Sequence, residues 1–337
     1  MNKTNSMRSS GINESLEIDK NKVLEEISNN GKFQTENIFI KKWENDENAD
    51  GFLAYFTKNN SYFIGILNDY FQRDGYGINV LENGDIYLGN FEKDKRSRHG
   101  IYYFSQEGKE DKIYKECYFG FWKDNLKDKN GIYIWLEEPK NNITYENTNF
   151  DAYIGEIEND GYKRGTYLSK IGEDYYLYHG NFDYQGRKTD DNAYIYSSKH
   201  DRLLHGKIYE DVFIEGYISF FDSNSGLLID LAHSTFDKDG NMKDITCKED
   251  IEKDKVDKEE KNMTLFRNVI LGEDYFGIIY NKYIKNKNFI EENMNQIEIF
   301  NDREKFPKII DICADYNNNN IYEHIEQKIF ANLESFE

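Results

Sequence analysis

Nine residues, NGDIYLGNF at 83–91, constrain this chain most, because near-copies of them recur along it. Gly65, Gly89, Gly120, Gly155, Gly180 and Gly216 sit in runs of one type: YFIGIL, YLGNF, YFGFW, YIGEI, YHGNF and IEGYI. FIKKW at 39–43 is a degenerate earlier copy, with Lys41 in the glycine place. Ten to thirteen residues after each comes a second signature, at Gly51, Gly75/Gly77, Gly100, Gly131, Gly165, Ala193 and Gly226. Self-similarity at a short period is the mark of a repeat architecture.

Each copy reads as two strands. In YxGxF the Tyr, Gly and Phe share one face and the residues between them share the other. GIYYF and GIYIW alternate in the same way, and Asn/Asp/Gly segments join the strands as turns. Glycine inside a strand is unfavourable, so its recurrence predicts a place where a ring or another backbone comes close. One hairpin cannot bury an aromatic face, but stacked neighbours can.

This double pattern resembles the membrane occupation and recognition nexus (MORN) repeat, with the nearest matches at Gly84–Phe91, Tyr118–Trp122, Tyr178–Phe182 and Arg73–Val80. The resemblance covers residues 39–236, about seven copies. It departs from the family in its second signature, where only Gly75/Gly77 keep a glycine pair; Tyr102, Tyr133 and Tyr167 stand there in other copies. The spacing of the first glycines also drifts, through 24, 31, 35, 25 and 36 residues, which places insertions at about 106–116, 137–150 and 186–210. The resemblance implies a mainly β fold: an elongated, twisted single antiparallel sheet of repeated hairpins, ~70 Å long at the usual strand spacing. A small α-helical C-terminal unit follows it.

The expected organisation has four parts. Residues 1–38 are a polar tail with a short amphipathic helix around 13–29, carrying Leu16, Val23, Leu24 and Ile27 and covering the first sheet edge. Residues 39–242 are the repeat sheet. The mixed-charge run 248–262 marks 243–263 as a solvated linker or exposed helix. Residues 264–337 are helical, with Phe306, Ile309, Ile310 and Cys313 on one stripe and Ile321, Ile325, Ile329 and Leu333 on another. A bundle this short is marginal alone and is expected to cap the last hairpin or to serve as a separate interaction module.

Composition narrows the function classes. Tyr (27) and Phe (23) are abundant and suit a half-buried pleated surface. Acids outnumber bases 63 to 43, a formal charge of −20, which repels nucleic acid phosphates and anionic lipid headgroups. Cys117, Cys247 and Cys313 are odd in number and far apart, so no disulfide framework is drawn. The first twenty residues lack an apolar signal core, Asn2 excludes myristoylation, and no run of 18 apolar residues occurs. The expected setting is cytoplasmic, and the family adds cytoskeleton, cilium or axoneme, and cell cortex.

No catalytic, cofactor or metal site is assigned. DKDGNMKDITCKE at 237–249 begins like a calcium loop, but Met242 and Lys248 hold the places that need glycine and a bidentate glutamate, so it reads as a polar turn. GYG at 75–77 has no following helix or Lys-Ser/Thr and is no phosphate loop. His99 and His205 read as turn-proximal, the latter in an inserted loop, and His179 faces opposite to Tyr178 and Gly180. There is no HExxH, no GxSxG and no Cys–His arrangement.

The aromatic rows remain. Phe63, Tyr87, Tyr118, Tyr153 and Tyr178 recur at one position, and Leu67, Phe91, Trp122, Ile157 and Phe182 at another. Most of them are expected to pack as repeat core. Part of the row, with Phe63, Tyr87, Tyr118, Trp122, Tyr153 and Tyr178 as candidates, is expected to line a groove that anchors a partner peptide or helix. Gly65, Gly89, Gly120, Gly155 and Gly180 are the structural glycines. The function that follows is a non-catalytic scaffold for protein partners such as cytoskeletal or large-complex components, self-association being a further expectation. The alternatives are a phospholipid-binding module, which the net charge disfavours, and the regulatory subunit of an enzyme.

Overall fold

A computed structural model describes residues 19–43, 51–58, 61–105, 116–136, 149–222, 225–272 and 277. They are mainly β: seventeen strands of one antiparallel sheet, built from successive hairpins, with a helix before the strands and another after them. The chain divides into two compact units with the boundary at residues 129/130.

The first unit opens with α1 (Lys20–Asn30), capped by the Asp19 carboxylate at its start and by Gly31 in a left-handed conformation at its end. It buries Val23 and packs on β1 (Lys32–Gln34) and β2 (Ile38–Trp43). The amphipathic helix thus starts at Lys20; Leu16 and the rest of 13–18 lie outside the described residues. Strands β3 (Gly51–Lys58), β4 (Ser61–Leu67), β5 (Arg73–Val80), β6 (Ile86–Glu92), β7 (Lys95–Phe104) and β8 (Glu116–Lys123) follow, and the boundary between the units falls within β9 (Leu126–Leu136). Each strand from β1 to β7 pairs antiparallel with the next in sequence.

The register explains the recurring glycine. Gly65 lies opposite Gly77, Gly77 opposite Gly89, Gly89 opposite Gly100 and Gly100 opposite Gly120, so a single row of glycines crosses five strands. Ala54 and Ile40 extend it backwards. This corrects two assignments: Gly51 pairs with Trp43 outside the row, and Ile40, not Lys41, fills the glycine place in β2.

The second unit contains β10 (Phe150–Glu158), β11 (Gly161–Ile171), β12 (Asp174–Asn181), β13 (Asp190–Ser197), β14 (Arg202–Tyr209), β15 (Val212–Phe221), β16 (Leu228–Phe236), β17 (Met242–Cys247) and α2 (Lys253–Gly272). Consecutive strands again pair antiparallel. Gly155, Gly165 and Gly180 form one run of facing row positions, and Ala193, Gly206, Gly216 and Ser234 form another.

Three expectations change here. The stretch 186–210 is no insertion: it contains the ordinary hairpin β13–β14, and His205 and Gly206 are strand residues. Gly226 is a turn glycine with φ of 70°, and Ser234 holds the row position in β16. Of the two readings for 243–263, a solvated linker or an exposed helix, the segment is strand and helix: most of β17 and then the first half of α2. The helical stripes at 306–313 and 321–333 and most of the insertions at 106–116 and 137–150 lie outside the described residues.

Two-residue turns with both φ values positive close four hairpins, at Lys93-Asp94, Asp124-Asn125, Asn159-Asp160 and Glu210-Asp211. That handedness matches the strand twist, which is why Asn and Asp recur there. In three of these turns the second residue also clips an earlier segment. Asp94 Oδ1 accepts from Arg73 N at 2.9 Å, Asn125 Oδ1 from Arg96 N at 2.8 Å and Asp211 Oδ1 from Lys188 N at 2.9 Å.

Candidate functional site

Phe63, Tyr87, Tyr118, Trp122, Tyr153 and Tyr178 are all core residues, none more than 1% exposed. Each of the four tyrosines donates its hydroxyl to a carbonyl three residues on. Tyr87 reaches Asn90 O at 2.8 Å, Tyr118 Phe121 O at 3.0 Å, Tyr153 Glu156 O at 2.7 Å and Tyr178 Asn181 O at 2.5 Å. The rings of Tyr87, Tyr153 and Tyr178 thereby lie across row glycines: a Cβ on Gly89, Gly155 or Gly180 would stand 2.6 Å from the ring oxygen. Burial raises the pKa of Tyr87, Tyr153 and Tyr178 far above the phenol range, so they act as neutral donors. The six side chains chosen as partner anchors are thus occupied inside the fold.

The same face holds a set of cations. Arg73, Arg96 and Lys127 are 5%, 6% and 2% exposed and lie over aromatic rings. Arg73 covers Phe63 and Phe91, Arg96 covers Tyr87, Tyr102 and Trp122, and Lys127 covers Phe104, Tyr118 and Trp122. The ring quadrupole replaces part of the lost hydration. Arg73 also pairs with Asp94 Oδ1 at 3.2 Å, and Arg96 donates to Asn125 O at 3.0 Å. Sequence reading passed over these residues, although a signal exists: each stands four before a second-signature glycine, Gly77, Gly100 or Gly131.

The opposite face differs between the units. In the first, the row next to the glycines reads Tyr55, Ile64, Ile78, Leu88, Ile101 and Phe119. Its aliphatic members and Phe119 are buried. In the second, the corresponding row begins with Ile154 and turns polar: Thr166, His179, Tyr194, His205, Tyr217 and His233 face one another in turn across adjacent strands.

Helix α2 packs against this second row. The ring of Tyr194 lies between His205 and Phe266, with centroids 4.1 and 4.2 Å away and planes within 13° of parallel. His205 Nδ1 meets Glu259 Oε2 at 2.7 Å and its Nε2 meets Asn192 Oδ1 at 2.8 Å. Thr166 Oγ1 meets His179 Nδ1 at 3.0 Å. Arg267 grips Asp201 with two hydrogen bonds, 3.0 and 2.5 Å, and lies over Phe221; Asp201 also accepts from the Tyr196 hydroxyl at 2.8 Å. Burial works against the Asp201 carboxylate, but the Arg267 and Tyr196 hydrogen bonds outweigh it and hold its pKa below the usual value. Lys248 pairs with Glu260 nearer the start of the helix.

No protein-family model matches the chain, and no curated protein does. The chemistry of the site therefore rests on its own geometry. Among the described residues, no group of three or more His, Cys, Asp or Glu side chains is placed to hold a metal ion, and no helix is long and apolar enough to cross a membrane. Cys117 is buried, with its thiol pKa pushed up by that burial; Cys247 is exposed, and Cys313 lies outside the described residues.

His179 yields a pH dependence. Burial, reinforced by the charge of Arg164, lowers its pKa from 6.5 to about 4, so the folded protein holds it neutral. The unfolded chain takes up the proton near pH 6.5 and the folded one only near 4. Stability therefore falls as pH drops through that window, by about 3 kcal/mol in all. Urea midpoints measured from pH 7 to 4 are expected to decline less steeply for His179→Gln than for the wild type. Parallel curves would contradict the assignment.

Proposed function

We propose that this protein is a non-catalytic scaffold of the MORN-repeat type, which holds protein partners on its hairpin sheet in a cytoskeletal, axonemal or cell-cortex setting. One observation carries the reading: a single register position, glycine under an aromatic ring, recurs from strand to strand and is stitched by turn carboxylates and amides to strands before it. Such a repeat presents equivalent turns at regular intervals, which suits a surface for extended partners. The aromatic rows are consumed in the interior, so contact falls to the outer surface. Leu227, Ile229, Met242 and Ile245 there are each more than half exposed, and exposed apolar groups of this kind favour an interaction role.

The test is affinity capture of the full chain from its native cells, followed by mass spectrometry, beside sedimentation with phosphoinositide vesicles at physiological salt. The expected result is recovery of structural proteins and no vesicle binding. Recovery of one metabolic enzyme without structural proteins, or clear vesicle binding, would overturn the reading.

A further inference from the structure

Helix α2 closes its face of the sheet in the second unit with charged as well as apolar side chains. The buried side chains among its residues 253–268 are Val256, Glu259, Met263, Phe266 and Arg267, a stripe of 3–4 spacing. Two of the five are charged, and each is paired with a residue of the sheet side, Glu259 with His205 and Arg267 with Asp201. Beneath them the row is His179, Tyr194 and His205, where the row of the first unit carries Ile78, Leu88 and Ile101. A permanent core gains from aliphatic contact. A surface that is covered and uncovered in turn needs groups that water can take over, and exchangeable interfaces are accordingly more polar.

We propose that the face of β12–β16 is a binding site for an amphipathic helix, with α2 as its occupant in this structure and a partner's helix as its exchange ligand. The ligand is defined by what α2 presents: an acid for His205, an arginine eight residues later for Asp201, and between them a methionine and a phenylalanine on one stripe, the phenylalanine stacking on Tyr194. Recognition is of the helix-in-groove kind. Held in cis, α2 acts at an effective concentration in the millimolar range and keeps competing helices out until it is released. This rests on the scaffold reading and names one surface and one class of partner for it.

The experiment uses the full chain and a fluorescent synthetic peptide of residues 253–272 as the probe. Arg267→Ala removes the charge pair that anchors α2 in cis, and is expected to let the wild-type peptide bind at least about tenfold more tightly than it binds the wild-type chain. A peptide carrying Phe266→Ala is expected to lose that binding. In hydrogen exchange of the wild-type chain, α2 amides are expected to open well before those of β12–β14, a readout that stands even where the variant folds poorly.

Equal binding of the peptide to both chains, or α2 amides that exchange only with the sheet, would overturn the proposal. A concentration-dependent dimer of the wild-type chain with α2 still protected would also overturn it, since the occupant in trans would then be a second copy. Failure of the peptide while affinity capture still returns structural proteins removes the helix site and leaves the scaffold reading standing. Peptide exchange together with capture of a metabolic enzyme alone does the reverse.

Discussion

Gly155→Ala is expected to cost about 3 kcal/mol of stability or more, read as a fall in the urea midpoint. A Cβ at that position would lie 2.5 Å from Arg164 O, 2.6 Å from Gly165 Cα and 2.6 Å from the Tyr153 hydroxyl oxygen. Two of those three atoms are backbone of the paired strand, which cannot withdraw without breaking the β10–β11 ladder. The ring of Tyr153 is held by its own hydrogen bonds to Glu156 O and Arg164 O and packs 4.2 Å from Tyr162. Trimming Tyr153 to Phe is therefore expected to restore little. Gly161→Ala is the control: its nearest atom, Glu158 O, is 3.3 Å away, and a change within about 1 kcal/mol is expected. Equal midpoints for Gly155→Ala and the wild type would show that the close-packed row is not there.

Trp122→Ala is expected to lower stability by about 3–5 kcal/mol, the range for removing a buried indole. Trp122 is 1% exposed, meets Tyr87 and Tyr118 edge-on at 5.5 and 5.2 Å, and donates from Nε1 to Gly100 O at 3.3 Å. It is also a seat for two cations, Arg96 at 4.6 Å and Lys127 at 5.8 Å from its centroid. Its loss opens a cavity and takes away part of what offsets the desolvation of both. Trp122→Phe keeps a ring and is expected to lose roughly half as much. Calorimetry of the two variants beside the wild type decides the matter. An Ala variant that melts with the wild type but loses partner proteins would make Trp122 a binding anchor after all.

Legibility followed the range of the physics. The tyrosine–glycine spacing was visible because one side chain and one missing Cβ, two residues apart on the same face, act within a single strand. Assigning the row was harder. Gly51 and Ala54 stand three residues apart in β3, and only pairing with β2 and β4 shows that Ala54 is the row residue. Gly226 looked like a repeat glycine because it precedes an apolar run, yet the register passes to Ser234. Composition assigns Arg and Lys to solvent by default, and their spacing four residues before a glycine does not tell that Arg96 and Lys127 lie over rings borne largely on other strands.

What the sequence alone determined is the unit and its repetition. Alternation, turn residues and recurrent glycine are short-range features, and they dictate hairpins that must pair side by side to bury their rings. What only the tertiary structure decided is which residues meet. The row His179–Tyr194–His205 draws one member from each of three strands, and its cover comes from a helix whose Glu259 lies 54 residues beyond the last of them. Each member looks ordinary in its own strand. Their chemistry arises from register and from the docking of α2, which depend on the free energy of the whole assembled sheet.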